Sequence, residues 1–267
     1  MRLARWGFHL FCGLVLVFLL APVLAVIPLS FSSNSILTYP LPGLSLRWYE
    51  AVFSSPRWFS AFLNSLIIGV AATMIAVVIG TLASFGLARR KGAWVSAIKV
   101  IVLSPMIVPI VLVAVALYLF LAPLGLANTM AGMVLAHTVI AVPFVIIPVL
   151  TAIELLDPNL ARAAASCGAR PLTAFRRVTL PAIAPPMASG ALFAFAASFD
   201  DVVIALFIAG PGQRTLPREM YSGLRETITP ELTAVATIVM VFSTCLFLLM
   251  QHLQRRRRQL LQSSVRA

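Results

Sequence analysis

Six stretches of this chain, at about 7–29, 61–87, 97–121, 126–150, 187–209 and 232–253, are almost free of charged residues, while every arginine lies between or beyond them. Each stretch exceeds 20 residues, and at a rise of about 1.5 Å per residue each crosses a hydrocarbon core of about 30 Å. Only helices and closed barrels satisfy all their backbone polar groups in lipid, and none of the six shows the strict alternation of a barrel strand. The pattern predicts an all-α fold, a polytopic membrane helical bundle of about six transmembrane helices. It divides into a first transmembrane helix with an outer segment (1–60), a transmembrane domain of five spans (61–253) and a basic cytoplasmic tail (254–267). The first stretch follows Arg2 and Arg5, as in a signal peptide. It is longer than the roughly 7–15 residues of a cleavable apolar region and is read as an uncleaved span.

Composition excludes the soluble alternative. Hydrophobic residues make up 61% of the 267 positions and charged ones 10%, against roughly 45–50% and 25% in soluble domains. A soluble chain of this length has too little polar surface to cover so many apolar runs. The net charge of +12 would suit nucleic acid if it formed one patch, but it is spread over the loops, where it sets orientation. Arg2, Arg5, Arg89, Arg90, Lys91, Lys99, Arg162, Arg170, Arg176, Arg177, Arg255 to Arg258 and Arg266 put fifteen basic residues on one side. Arg47, Arg57, Arg214, Arg218 and Arg225 put five on the other, where Glu50, Glu219, Glu226 and Glu231 nearly cancel them. The basic side is cytoplasmic by the positive-inside rule, so both termini are expected inside.

The connecting segments differ in content. Residues 30–60 form an outer segment with Pro40, Pro42 and the aromatics Trp48, Tyr49, Phe53, Trp58 and Phe59, which read as an interfacial belt. The loop at 122–128 is too short to carry a site. Within the inner loop at about 151–186, Asp157-Pro158 fits a helix start. A short helix over 158–167 then ends at Gly168, a residue suited to the left-handed position. Pro171 opens a second short helix, which runs to Val178 and is closed by Pro181. Leu160, Ala163, Ala164 and Cys167 recur at helical spacing and give the first helix a small apolar face. A helix–Gly–helix element of this kind is a docking surface; resting on lipid headgroups is the alternative reading.

Arg162-Ala163-Ala164, three residues, Gly168 and then Leu180-Pro181 resemble, in spacing and in position before the penultimate span, the ATPase-coupling loop of importer permeases of the ATP-binding-cassette (ABC) superfamily. Arg162 stands where that family usually has Glu. A second stretch, Ser198-Phe199-Asp200-Asp201-Val202-Val203, with Gly210-Pro211, Leu216-Pro217, Tyr221-Ser222, Pro230-Glu231 and Ser243 beyond it, and Trp48-Tyr49 and Ser104-Pro105 before it, is similar to spermidine/putrescine permeases of the second subunit type. The resemblance implies a heterodimer with a second permease subunit, two ATP-binding-cassette ATPase subunits on the inner face and an external solute-binding protein. ATP and Mg would be bound by the ATPase and no cofactor by this chain. Aminophosphonate or iron permeases are the nearest alternatives in this class.

Chemistry of its own is not expected. Lys91 and Lys99, the chain's two lysines, do not follow glycine, so there is no phosphate-binding P-loop. Cys12, Cys167 and Cys245 are far apart and suggest neither disulfides nor a metal site. His9, His137 and His252 lie in or beside separate spans and show no partner in the sequence, and His137 reads as a packing residue. The chain is thus read as no enzyme. Asp200 and Asp201 remain as the candidate translocation-pathway residues. With the fifth span taken as 187–209, Asp200 falls two residues past its middle, where a carboxylate costs about 2.5–3.5 kcal/mol and should face protein or water. Neighbouring helical residues point about 100° apart, so one acid is expected on the pathway and the other against a neighbouring helix or the second permease. A secondary transporter using these acids is the alternative from another class, and a non-transporting scaffold is the third.

Overall fold

The apolar runs do form helices, and the places where they break differ from the sequence pattern. The structure, a computed structural model, describes residues 2–226 and 228–266, with side chains described for all of these except 2–4, 161, 249–250 and 252–266. The side chains of Arg2, Arg255 to Arg258 and Arg266 therefore lie outside the described residues. Among the described residues, five helices are long and apolar enough to cross a membrane, or six when one bent pair counts as a single span. The chain forms two compact units, one of residues 1–59 and 220–249, the other chiefly of 60–219.

In the first unit, helix α1 (Arg2–Leu29) leads into the outer segment and the short helix α2 (Arg47–Ser54). Phe8, Phe11, Leu14 and Phe18 are exposed around α1, as befits a helix solvated by lipid. The polar tips of the expected aromatic belt tie the outer segment together. Trp48 Nε1 donates to the Ser32 carbonyl at 2.9 Å, and the Tyr49 and Ser30 hydroxyls lie 2.6 Å apart. Trp58 is buried and donates to the Glu231 carboxylate, whereas Phe53 and Phe59 are exposed. Glu231 stands in the first turn of α12 (Pro230–Arg266), whose apolar part ends near Leu248.

Helix α3 (Pro56–Ala88) begins at a proline, after Ser55 in extended conformation, where the missing N–H is no loss. The expected third span, 97–121, is not one straight helix. Helix α4 (Ala93–Leu103) passes through a 3₁₀ turn at Ser104–Met106, and α5 (Ile110–Leu121) leaves at 104° to it. Pro109 is the cause: it disfavours helical backbone at Val108 and supplies no N–H to the preceding turn. Helix α6 (Met130–Leu155) is the best buried span and stays continuous through Pro143 and Pro148.

A second correction concerns the inner loop and the fifth span. After α7 (Asn159–Ser166), Pro171 opens α8 (Pro171–Ala174), which Pro181 does not close. A π-helical turn at Phe175–Thr179 carries α8 into α9 (Leu180–Phe199), making one 29-residue helix, Pro171–Phe199. The wider π turn opens the backbone just before Pro181, whose ring would clash with the carbonyl four residues back in a regular α-helix. The fifth span therefore ends at Phe199, ten residues before the expected 209. Helices α10 (Val203–Ile208) and α11 (Leu216–Glu226) follow it. Residues of α3, α5, α6 and α10 share one buried cluster, including Ile68, Ala114, Met133 and Ile204.

Candidate translocation site and coupling loop

Close contact between α6 and α9 positions the site. A Cβ on Gly190 would lie 2.9 Å from the Val145 Cα and 3.0 Å from the Phe144 carbonyl oxygen, so the absence of a side chain there lets the two backbones meet. His137 stands eight residues from Val145 on α6, and Ser198 eight residues from Gly190 on α9. Eight residues are about 12 Å of helix, so the pair meets roughly two turns beyond the contact. His137 Nδ1 and Ser198 Oγ are 2.9 Å apart, and the histidine is fully buried.

Asp201 completes the group. Its Oδ2 lies 3.9 Å from His137 Nε2, with 7% of its side chain exposed. The same oxygen accepts from the Ile204 N–H at 2.9 Å and from the Ala205 N–H at 3.4 Å, satisfying the first orphan donors of α10. His137 Nε2 has no hydrogen-bond partner. With the Ser198 hydroxyl donating to Nδ1, the Nε2 proton faces the Asp201 carboxylate across 3.9 Å, an electrostatic contact longer than a hydrogen bond. The histidine read as partnerless packing thus has two polar neighbours. No signal in the sequence pairs it with residues 61 and 64 positions away.

Asp200 behaves differently. It caps the C-terminal end of α9, its N–H donating to the Ala196 carbonyl at 3.0 Å, and its side chain is exposed. The two acids therefore have different surroundings, and they lie in the turn between α9 and α10, past the end of a span, rather than near the middle of one. Beyond them, the segment from Gly210 to Leu216 is fastened to α3. The Asn64 side chain donates to the Gly212 and Arg214 carbonyls at 3.0 Å each, and Ser65 Oγ accepts from the Leu216 N–H at 2.7 Å. Glu219, counted from sequence as an outer loop charge, is 1% exposed and faces Arg214 at 3.4 Å.

The inner loop has the expected turn. Asp157 Oδ1 accepts from the Asn159 N–H at 2.9 Å, capping α7. At its other end the Ala169 N–H donates to Ala164 and the Gly168 N–H to Ala165, at 3.0 and 2.9 Å. This is the paired bonding of a Schellman motif, with Gly168 at φ +80°. Arg162, Ala163, Leu160 and Leu172 are exposed, Ala164 and Leu180 are half-buried, and Pro181 is exposed. Arg162 Nη1 donates to Asn159 Oδ1 at 3.3 Å. Phe175 meets Phe85 edge to face with centroids 5.6 Å apart, which packs the π turn after the loop against α3. A Cβ at Gly168 would touch nothing, which leaves backbone strain of about 1–2 kcal/mol as the cost of a substitution there. Gly168→Val is expected to raise amide hydrogen exchange across 159–170 several-fold without lowering the amount of protein in the membrane. Unchanged exchange would mean that the cap does not hold the turn.

A polytopic helical membrane protein with a helix–Gly–helix loop, and with buried polar groups at the end of a long span, has the build of a transport permease. The chain belongs to the family described as binding-protein-dependent transport system inner membrane component, which it matches over residues 76–259. It is 34% identical over 232 residues to the putrescine transport system permease protein PotI of Escherichia coli, covering 84% of this chain and 82% of that protein. It is 29% identical over 248 residues to the spermidine/putrescine transport system permease protein PotC of Haemophilus influenzae, covering 92% of this chain and 95% of that one. In fold it is similar to a chain of a bacterial ABC transporter that imports the polysaccharide alginate, with a TM-score of 0.72 over 94% of this chain and 96% of that one at 15% identity.

Proposed function

We propose that this chain is the second-type permease subunit of an ATP-driven importer for polyamines such as spermidine and putrescine, or for a related amino-bearing solute. The observation that carries this reading is the divergence of the two acids. Asp201 is engaged in holding α10, and Asp200 is exposed with no ion-pair partner among the described residues. An exposed carboxylate at the end of a span attracts a cationic solute, and the two polyamine permeases it resembles fit such a solute. The partners would be a second permease subunit, two ATPase subunits and an external binding protein. Both termini would lie in the cytoplasm, as the distribution of arginine and lysine supports.

ATP-driven closure of the cassette dimer would push on the loop around Ala163 to Gly168, whose exposed small residues suit close docking, and re-orient the spans about the solute path. Arg162, at the exposed rim, would add at most roughly 0–1 kcal/mol to that docking. The test is uptake into proteoliposomes containing the candidate partner subunits. Labelled putrescine or spermidine should enter only with ATP inside and binding protein outside, and a cysteine introduced at Ala163 should crosslink to the ATPase. Uptake of a phosphonate or of iron in place of polyamine would replace the substrate assignment. Uptake driven by an ion gradient without ATP would replace the mechanism with that of a secondary transporter.

A further inference from the structure

We propose that the cleft between the 89–92 turn, α4 and the start of the inner loop is a binding site for the phosphodiester headgroup of an anionic phospholipid. The cleft has a volume of about 980 Å³, and its lining includes Arg89, Arg90, Lys91, Lys99 and Arg162 against the carboxylates Glu154 and Asp157. Lys99 pairs with Glu154 at 3.0 Å, and Asp157 is engaged as the cap of α7. Arg89, Arg90 and Lys91 have no carboxylate partner among the described residues. Three adjacent cations at one mouth, with the nearest acids already occupied, favour an anion.

The walls decide which anion. Helix α4 turns Val95 and Lys99 into the cleft, while Trp94, Ile98 and Ile101, three to four residues apart, form an exposed apolar stripe on its other side. A helix of this composition lies among acyl chains, and the cations at its N-terminal end then stand at headgroup depth on the cytoplasmic side. Phe85, Leu87 and Val95 supply apolar wall inside the cleft as well. A ligand with a phosphate at the mouth and acyl chains along α4 satisfies both features, as basic pockets between spans do for anionic lipids. A small soluble anion would leave the apolar wall wet. A docked ATPase would cover the exposed loop but leave the α4 stripe unused. The inference depends on the inward placement of this loop and not on the identity of the solute.

The experiment is native mass spectrometry of the full chain in detergent, mixed with equimolar phosphatidylglycerol and phosphatidylcholine. Phosphatidylglycerol adducts are expected to exceed phosphatidylcholine adducts at least fivefold. Arg89→Gln/Arg90→Gln/Lys91→Gln should remove that preference, and Arg170→Gln/Arg176→Gln/Arg177→Gln, with the same loss of charge elsewhere on the loop, should keep it. Ser96 is exposed and lines the cleft, so Ser96→Trp fills the space with every cation in place and should also lower binding at least fivefold. Equal adducts of the two lipids would overturn the site, as would equal losses in both triple variants. So would competition by glycerol phosphate at the concentration of the lipid, because the acyl wall would then contribute nothing. If Lys91 crosslinks to an ATPase subunit in the assembled complex and no lipid is retained, the cleft is a protein interface instead.

Discussion

Replacement of Gly190 by alanine is expected to lower the folded permease in the membrane by about tenfold, although it adds one carbon atom. That carbon would sit 2.9 Å from the Val145 Cα and 3.0 Å from the Phe144 carbonyl oxygen. Both are backbone atoms in the middle of α6, so no rotamer change relieves the contact and the helices must separate. Overpacking of this kind costs about 1–3 kcal/mol, and 1.4 kcal/mol is tenfold. Separation would also draw Ser198 away from His137, so loss of the site should accompany loss of yield. Gly86→Ala is the matched control, because a Cβ there meets nothing within 4 Å. Quantitative blotting of membranes, with thermal aggregation of the solubilised protein, reads both. Equal yield and midpoint for the two variants would show that α6 and α9 do not touch at Gly190.

The second large effect separates the adjacent acids. Asp201→Ala removes the acceptor for the Ile204 and Ala205 N–H groups and leaves His137 Nε2 facing no carboxylate. Buried donors left without partners cost about 1–3 kcal/mol, so the variant should assemble poorly. Asp201→Asn keeps an oxygen able to accept from Ile204 and should recover much of the assembled protein. Asp200→Asn removes an exposed charge with no described side-chain partner. It should assemble at the wild-type level and reduce uptake of a cationic solute several-fold, with basal ATP hydrolysis unchanged. The comparison requires uptake per assembled complex over a range of solute concentrations. If Asp200→Asn transports like wild type, the exposed acid plays no part in attracting the cation. If Asp201→Ala assembles normally, the carboxylate does not hold α10.

The number and type of the membrane helices were legible because the cost of placing backbone and charge in lipid acts on every residue of a span. The turn at Gly168 was equally legible: a left-handed backbone position is a local constraint that glycine satisfies at least cost. What lipid and local propensity do not encode is where a long apolar helix bends. Pro109 and Pro181 are both prolines in apolar surroundings, yet the chain turns through 104° near the first and runs on through a π turn at the second. The difference lies in packing. Leu180 packs against a buried cluster with Val145 and Ile183, which holds the helix together across Pro181. The fate of the two acids was decided the same way. From sequence they were neighbours of equal cost, and only the fold ended α9 before them, turned one toward His137 and left the other exposed. Contacts between residues 61 and 64 positions apart depend on the α6–α9 approach at Gly190, which no local pattern in the chain specifies.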